Sequence, residues 1–114
     1  MNRFSIGAAA GLLAMSLSGA FAQSMMTGEN DMTLYSYDKD TDGTSTCYDE
    51  CATNWPPYLG QEGDELGEGW TLVDRTDGTK QRAYDGKPAY YYIEDKKAGD
   101  ATGDGKGGVW HLLK

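Results

Sequence analysis

Apolar and polar residues alternate along this chain in short runs bounded by Gly, Asp and Pro. From Met32 to Asp38, Tyr35 and Tyr37 share one face of an extended segment while Leu34 and Ser36 share the other, which predicts a strand. Asp38 to Ser45 is a turn cluster. Thr46 to Asn54 fits one or two helical turns, with Ser45 or Thr46 as N-cap and Pro56-Pro57 as the stop. Gly60 to Gly69 reads as an acidic, Gly-rich loop. Trp70 to Arg75 and Thr79 to Tyr84 flank Asp77-Gly78 and predict a hairpin, and Asp85-Gly86 marks another tight turn. Pro88 to Glu94 repeats the Tyr-x-Tyr strand, Asp95 to Gly108 repeats a Gly/Asp loop, and Val109 to Leu113 closes as a strand. Residues 23–31 are polar and unpatterned, which predicts a flexible N-terminal arm. The frequent turns and excess of strands indicate a mostly β, small single domain with a short helical turn near the Cys pair.

The strand pattern occurs twice. Tyr35, Tyr37, Asp40 and Trp55 recur as Tyr90, Tyr92, Asp95 and Trp110, each 55 positions later, and Asp49 and Asp104 share that offset. A fixed offset among rare residue types marks two pseudo-equivalent β repeats. They run over about 32–59 and 87–114, within a tandem-repeat domain spanning 32–114, and the hairpin at about 70–84 links them. In each copy the two Tyr rings would form a flat face, and the Asp at the strand end would accept backbone N–H groups of the following turn. The loop would then return the Trp to pack on that face. On this reading the rings fill the core. The alternative is an exposed aromatic platform for a sugar, quinone or peptide. Tyr91, on the opposite face of its strand, would be exposed.

The first 22 residues fit an export signal: Arg3, an apolar stretch from Ile6 to Leu17, and the small-residue cleavage pattern Ala20-Phe21-Ala22. The apolar stretch is too short to span a membrane, and no Cys follows it for lipid attachment. A periplasmic or secreted, soluble protein beginning at Gln23 is therefore expected. Without Arg3, nine basic residues face eighteen acidic ones, and the charge of −9 excludes nucleic acid and anionic lipid as natural partners. Residues 23–114 contain six Leu, two Val, one Ile and no Phe, too few aliphatic residues for an ordinary core. Eight Tyr and three Trp compensate, since each buried aromatic side chain removes ~150–250 Å² from water.

LYSYDKD and the run STCYDECATNWPP resemble the bacterial secreted-repeat family, also described as predicted lipoproteins with a Tyr-x-(Phe/Trp/Tyr)-x-x-Asp motif. RTDGTKQRAYDGKPAYYY and GDGKGGVWHLL are similar to its second half, so the resemblance covers Met32 to Leu113. It implies export and a tandem repeat, and no particular activity. The lipidated Cys of many members is missing here.

Cys47 and Cys51 are the only cysteines, and in an exported protein the pair reads as a disulfide. Its short loop would stabilise by only ~2 kcal/mol. A redox-active dithiol is disfavoured by the intervening Asp49 and Glu50, which raise a thiol pKa. Asp38, Asp40, Asp42 and Gly43 match the opening of a calcium loop with Asp49 at its twelfth position, and Asp95, Asp100 and Asp104 offer a looser second set. Met25, Met26, Met32 and His111 are the available copper ligands. No nucleophile–base motif is present. The expected function is an exported non-catalytic binding or interaction module without a resident cofactor. Its partner would be an unidentified protein or small molecule. The alternative is a calcium- or copper-binding or redox accessory protein.

Overall fold

The computed structural model describes residues 25–114, so the export signal expected over 1–22 lies outside the described residues. The chain runs through a 3-10 turn (Glu29–Asp31), β1 (Tyr35–Tyr37), α1 (Glu50–Asn54), β2 (Leu59–Gly60), β3 (Trp70–Asp74), β4 (Lys80–Tyr84), β5 (Lys87–Pro88), a second 3-10 turn (Lys106–Gly108) and β6 (Trp110–Leu112). β4 is the centre of a four-stranded antiparallel sheet, with β3 on one side and both β2 and β5 on the other. β1 and β6 form a separate antiparallel pair, with Tyr35 opposite Leu112 and Tyr37 opposite Trp110. Asp85 and Gly86 both take positive φ, as a two-residue hairpin turn demands, and connect β4 to β5.

The copies are related by a local two-fold pattern of bonds. Tyr35 N–H donates to Tyr90 O at 2.8 Å and Tyr90 N–H returns the bond to Tyr35 O at 3.0 Å. The pairing of Tyr35 with Leu112 is matched, 55 positions on, by the bridge between Tyr90 and Pro57. Asp38 N–H to Val109 O (2.8 Å) is matched by Ile93 N–H to Asn54 O (2.9 Å). Leu113 N–H to Leu34 O (3.0 Å) is matched by Tyr58 N–H to Ala89 O (2.9 Å). Each Tyr-x-Tyr segment therefore lies against the Trp-bearing segment of the other repeat.

Several elements differ from the sequence reading. The helix is one turn and a half, starting at Glu50, with Asp49 at its N-cap at a positive φ of 55°. Ser45 and Thr46 do not cap it because their groups are used elsewhere. Ser45 Oγ bonds Tyr90 Oη at 2.5 Å, and Thr46 N–H donates to Asp40 Oδ1 at 2.8 Å. Of the strand read over Pro88 to Glu94 only Pro88 joins a ladder, within β5, although Tyr90 bridges on both sides. The N-terminal segment read as a loose arm is tied down from residue 26 onward. Leu34 N–H donates to Met26 O, and Glu29 N–H donates to Tyr91 Oη at 3.0 Å. Tyr91, expected at the surface, is half-buried for the same reason.

Two apolar clusters result. One contains Tyr35, Cys47, Trp55, Tyr90 and Trp110. The other is Leu34, Ala89 and Leu113, with Met26, Tyr58, Trp70, Tyr84 and Tyr91 packed around it. Arg75 and Gln81, both buried, tie the hairpin to the first repeat. The Arg75 guanidinium donates to Ser45 Oγ (3.0 Å), Gln81 Oε1 (2.8 Å) and Cys47 O (3.0 Å), and lies 4.3 Å from the Tyr48 ring centre. Gln81 Nε2 in turn donates to Ala89 O at 2.7 Å. Removing the guanidinium strands a buried amide oxygen and a backbone carbonyl, each costly to leave unpaired. Arg75→Ala is expected to lower unfolding free energy by ~3 kcal/mol, read by urea denaturation at constant m-value.

Candidate functional site

The repeated residues converge at the local two-fold. Tyr37, Trp110, Trp55 and Tyr92 form one continuous stack, with ring-centre separations of 4.1, 3.8 and 4.1 Å. The central Trp pair is nearly parallel, at 3°. Tyr35 meets Trp55 edge-on at 5.3 Å, and Tyr90 meets Trp110 edge-on at 5.2 Å. The sequence reading placed each Trp on the Tyr face of its own copy. In the structure the stacked partner comes from the other copy, because the strands are crossed, and only the edge-on contact stays within a copy. Trp55 is 7% exposed, Trp110 6%, and Tyr35 and Tyr90 not at all, so the rings fill space between the repeats.

The repeated aspartates lock the crossing. Tyr35 Oη donates to Asp95 Oδ2 at 2.7 Å, and Tyr90 Oη donates to Asp40 Oδ2 at 2.8 Å. The second oxygen of each carboxylate orders its own loop. Asp95 Oδ1 accepts from Thr102 N–H (2.9 Å) and Thr102 Oγ1 (2.6 Å), and Asp40 Oδ1 accepts the equivalent pair from Thr46. Turn-holding was anticipated from sequence. The bond to the other copy's tyrosine was not, since nothing in the linear spacing announces it.

The surroundings of the two tyrosines differ. Gly103 N–H donates to Tyr35 Oη at 3.2 Å, whereas Tyr90 Oη accepts from Ser45, which itself accepts from Arg75. Gly103 also lies under the stack. A Cβ there would come within 2.6 Å of Trp55 and 2.9 Å of Tyr92. Gly103→Ala should therefore cost ~1–3 kcal/mol through overpacking, measured as a lower urea midpoint, while Gly99→Ala, with open space around it, tests backbone strain alone.

Burial sets the titration behaviour. Tyr35 is pushed well above the ordinary tyrosine value of 10.0 by loss of hydration and by its bond to Asp95. Tyr90 is raised by burial and by the Asp40 charge, and Tyr91 mainly by burial. Burial also raises Asp40, against the bonds from Thr46 and Tyr90 and the charge of Arg75, which lower it. For a tyrosine raised in the folded state, stabilisation is complete below its unfolded pKa. It is lost as pH climbs past that value, because the unfolded chain releases protons the folded chain keeps. Stability should be flat against these groups up to about pH 9 and fall beyond about pH 10. In an absorbance titration Tyr35 and Tyr90 should ionise only as the chain unfolds, and Tyr91 at higher pH than a free tyrosine.

Cys47 and Cys51 are joined in a disulfide with Cα atoms 5.3 Å apart, and Cys47 is buried against the ring cluster. Of the residues considered for calcium, Asp38 bonds His111 Nε2 at 2.8 Å, Asp40 is engaged as described, and Asp42 and Asp49 both have positive φ. Asp100 accepts from Lys96 and Lys97 N–H groups, and Asp104 from Leu112 N–H. Met26, considered for copper, packs in the second cluster. Among the described residues no three His, Cys, Asp or Glu side chains are gathered as a metal-binding set.

The described residues also form surface hollows. One, about 650 Å³, is flanked by Leu59 to Asp64 and by Gly78 to Arg82. Arg82 is paired there with Asp64 at 3.0 Å, and Lys80 with Asp74 at 2.5 Å and Glu62 at 3.6 Å, while Glu29, which also lines it, is in no ion pair among the described residues. A second, about 440 Å³, adjoins Tyr37, Asp40, Asp42 and Lys87. The third, about 380 Å³, holds Ser36, Asp38 and His111. The β1–β6 register brings Ser36 opposite His111, a proximity across 75 positions that sequence inspection missed. No hydrogen bond joins Ser36 to His111 among the described residues, and His111 and Asp38 are about half exposed.

A family model described as a secreted repeat of unknown function matches the chain at residues 24–58 and again at 71–114, each stretch holding one copy of the Tyr/Tyr/Asp/Trp set. No curated protein and no solved structure matches it. No helix among the described residues is long and apolar enough to cross a membrane. The chain belongs to the secreted-repeat family.

Proposed function

We propose that this secreted-repeat protein is an exported, non-catalytic interaction module in the periplasm or outside the cell. The observation that carries this reading is the fate of the repeated residues. Tyr35, Tyr90, Trp55 and Trp110 are buried against one another, and Asp40 and Asp95 are bonded to tyrosines, which makes the motif a scaffold. What is left to vary at the surface is the pair of Gly/Asp loops at 60–69 and 95–108. Both are mostly exposed, and the first borders the hollow of about 650 Å³. A partner would be recognised by these loops and the strands beside them.

Thermal melts with calcium, copper, EDTA and reductant separate this reading from a metal-handling or redox accessory role. Ions and chelator are expected to leave the midpoint unchanged. Reductant should lower it by roughly 10 °C, through loss of the ~2 kcal/mol that so small a disulfide loop contributes. A rise of many degrees with one ion would replace the module reading with the metal-handling one, because a ligand that binds only the folded state raises its melting point.

A further inference from the structure

β3 is an edge strand. It pairs with β4 through all five of its residues, and its other side has no partner among the described residues. The phase of the ladder is fixed at both ends: Asp85 N–H donates to Gly69 O at 2.8 Å, and Arg75 N–H donates to Thr79 O at 2.9 Å. Hydrogen-bonded positions alternate along an antiparallel pair, so Thr71 and Val73 address β4 while Trp70, Leu72 and Asp74 turn their backbone groups outward. Gly67 O takes the Trp70 N–H. The N–H groups of Leu72 and Asp74 and the carbonyls of Trp70, Leu72 and Asp74 point away from β4 and have no hydrogen-bond partner among the described residues.

Proteins guard such edges with lysine, proline, a bulge or a covering segment, because an open ladder recruits other strands. Trp-Thr-Leu-Val-Asp carries no lysine and no proline, and its register against β4 is unbroken. The strand and the loop that leads into it carry charge of one sign. From Gly60 to Asp74 there are five carboxylates and no Lys or Arg. Asp64, Glu62 and Asp74 are paired with residues of β4, whereas Glu65 and Glu68, in the loop leading into β3, are exposed and outside any ion pair among the described residues. A formal net charge of −8 opposes pairing with a second copy of the same chain.

We propose that the outer edge of β3 is a docking strand for an extended, lysine- or arginine-bearing segment of another exported protein, which adds beside it as a fifth strand. Backbone bonds to Leu72 and Asp74 hold the segment, and Glu65 and Glu68 attract its cations. The inference rests on the interaction-module reading and names the class of partner.

The test titrates the full folded chain with a capped seven-residue peptide alternating lysine and valine, and with the same peptide N-methylated at alternate residues. The plain peptide should bind saturably, with affinity falling roughly tenfold as salt is raised from low to several hundred millimolar. It should slow hydrogen exchange at the amides of Leu72 and Asp74. The N-methylated peptide should not bind. Thr71→Lys, at an exposed position, should weaken binding with an unchanged melt. Leu72→Pro, which removes an outward N–H and no ladder bond, should abolish it if the variant folds. A flat titration, equal binding by the N-methylated peptide, or protection at other amides would overturn the proposal. So would concentration-dependent dimers that protect Leu72 and Asp74, which would assign the edge to a second copy. A flat titration with a metal-independent melt removes only the docking strand; a large shift with one ion removes the module reading beneath it.

Discussion

The crossing of the two repeats is the constraint on which the rest of the structure depends. Each Tyr-x-Tyr segment finds its hydrogen-bonding neighbour, its stacked indole and its carboxylate partly or wholly in the other copy. Neither repeat alone can satisfy the donors and acceptors of its own Tyr strand, and neither can cover its own rings. Folding must therefore bring together residues far apart in sequence, from Tyr58 with Ala89 to Leu34 with Leu113, before the local segments gain stability. That is the expected behaviour of a chain dominated by long-range contacts.

A core of rings suits a chain with so few aliphatic residues. Stacked and edge-on arrangements let six aromatic side chains occupy one compact volume without a larger sheet to support them. Polar handles come with the tyrosines, and a buried hydroxyl without a partner would undo part of that gain. The aspartates answer this need. They also fix the loops that follow, so one carboxylate per repeat joins the core to the turn.

Much of the architecture was legible in the residues. The constant offset identified the duplication, Asp77-Gly78 and Asp85-Gly86 located the turns, and the Cys pair announced a disulfide. The crossing was not legible, because a strand's alternation says which face is apolar and is silent on which strand will lie beside it. The helix start was misread for a related reason. Ser45 and Thr46 are good caps in isolation, but Tyr90, Arg75 and Asp40 compete for the same groups from distant positions. Polar sequence likewise suggested a loose segment before β1, yet Tyr91 supplies an acceptor for the Glu29 N–H that no local pattern reveals. Of the surface, sequence identified the acidic loops, while the outward groups of β3 emerged only once its single neighbour was known.

The halves are alike in their rings and unlike around them. Ser45 and the guanidinium of Arg75 surround one tyrosine hydroxyl, and the bare backbone of Gly103 meets the other. An ancestral single unit that paired with its identical twin would have had to accept every substitution twice, once in each environment. Fusion into one polypeptide lifted that obligation. In the single chain a cysteine bridge can stand on one side alone and a bare glycine under a stacked ring on the other, with no twin obliged to carry the same residue. In such a molecule each environment is served by its own residues, while the rings remain common to both.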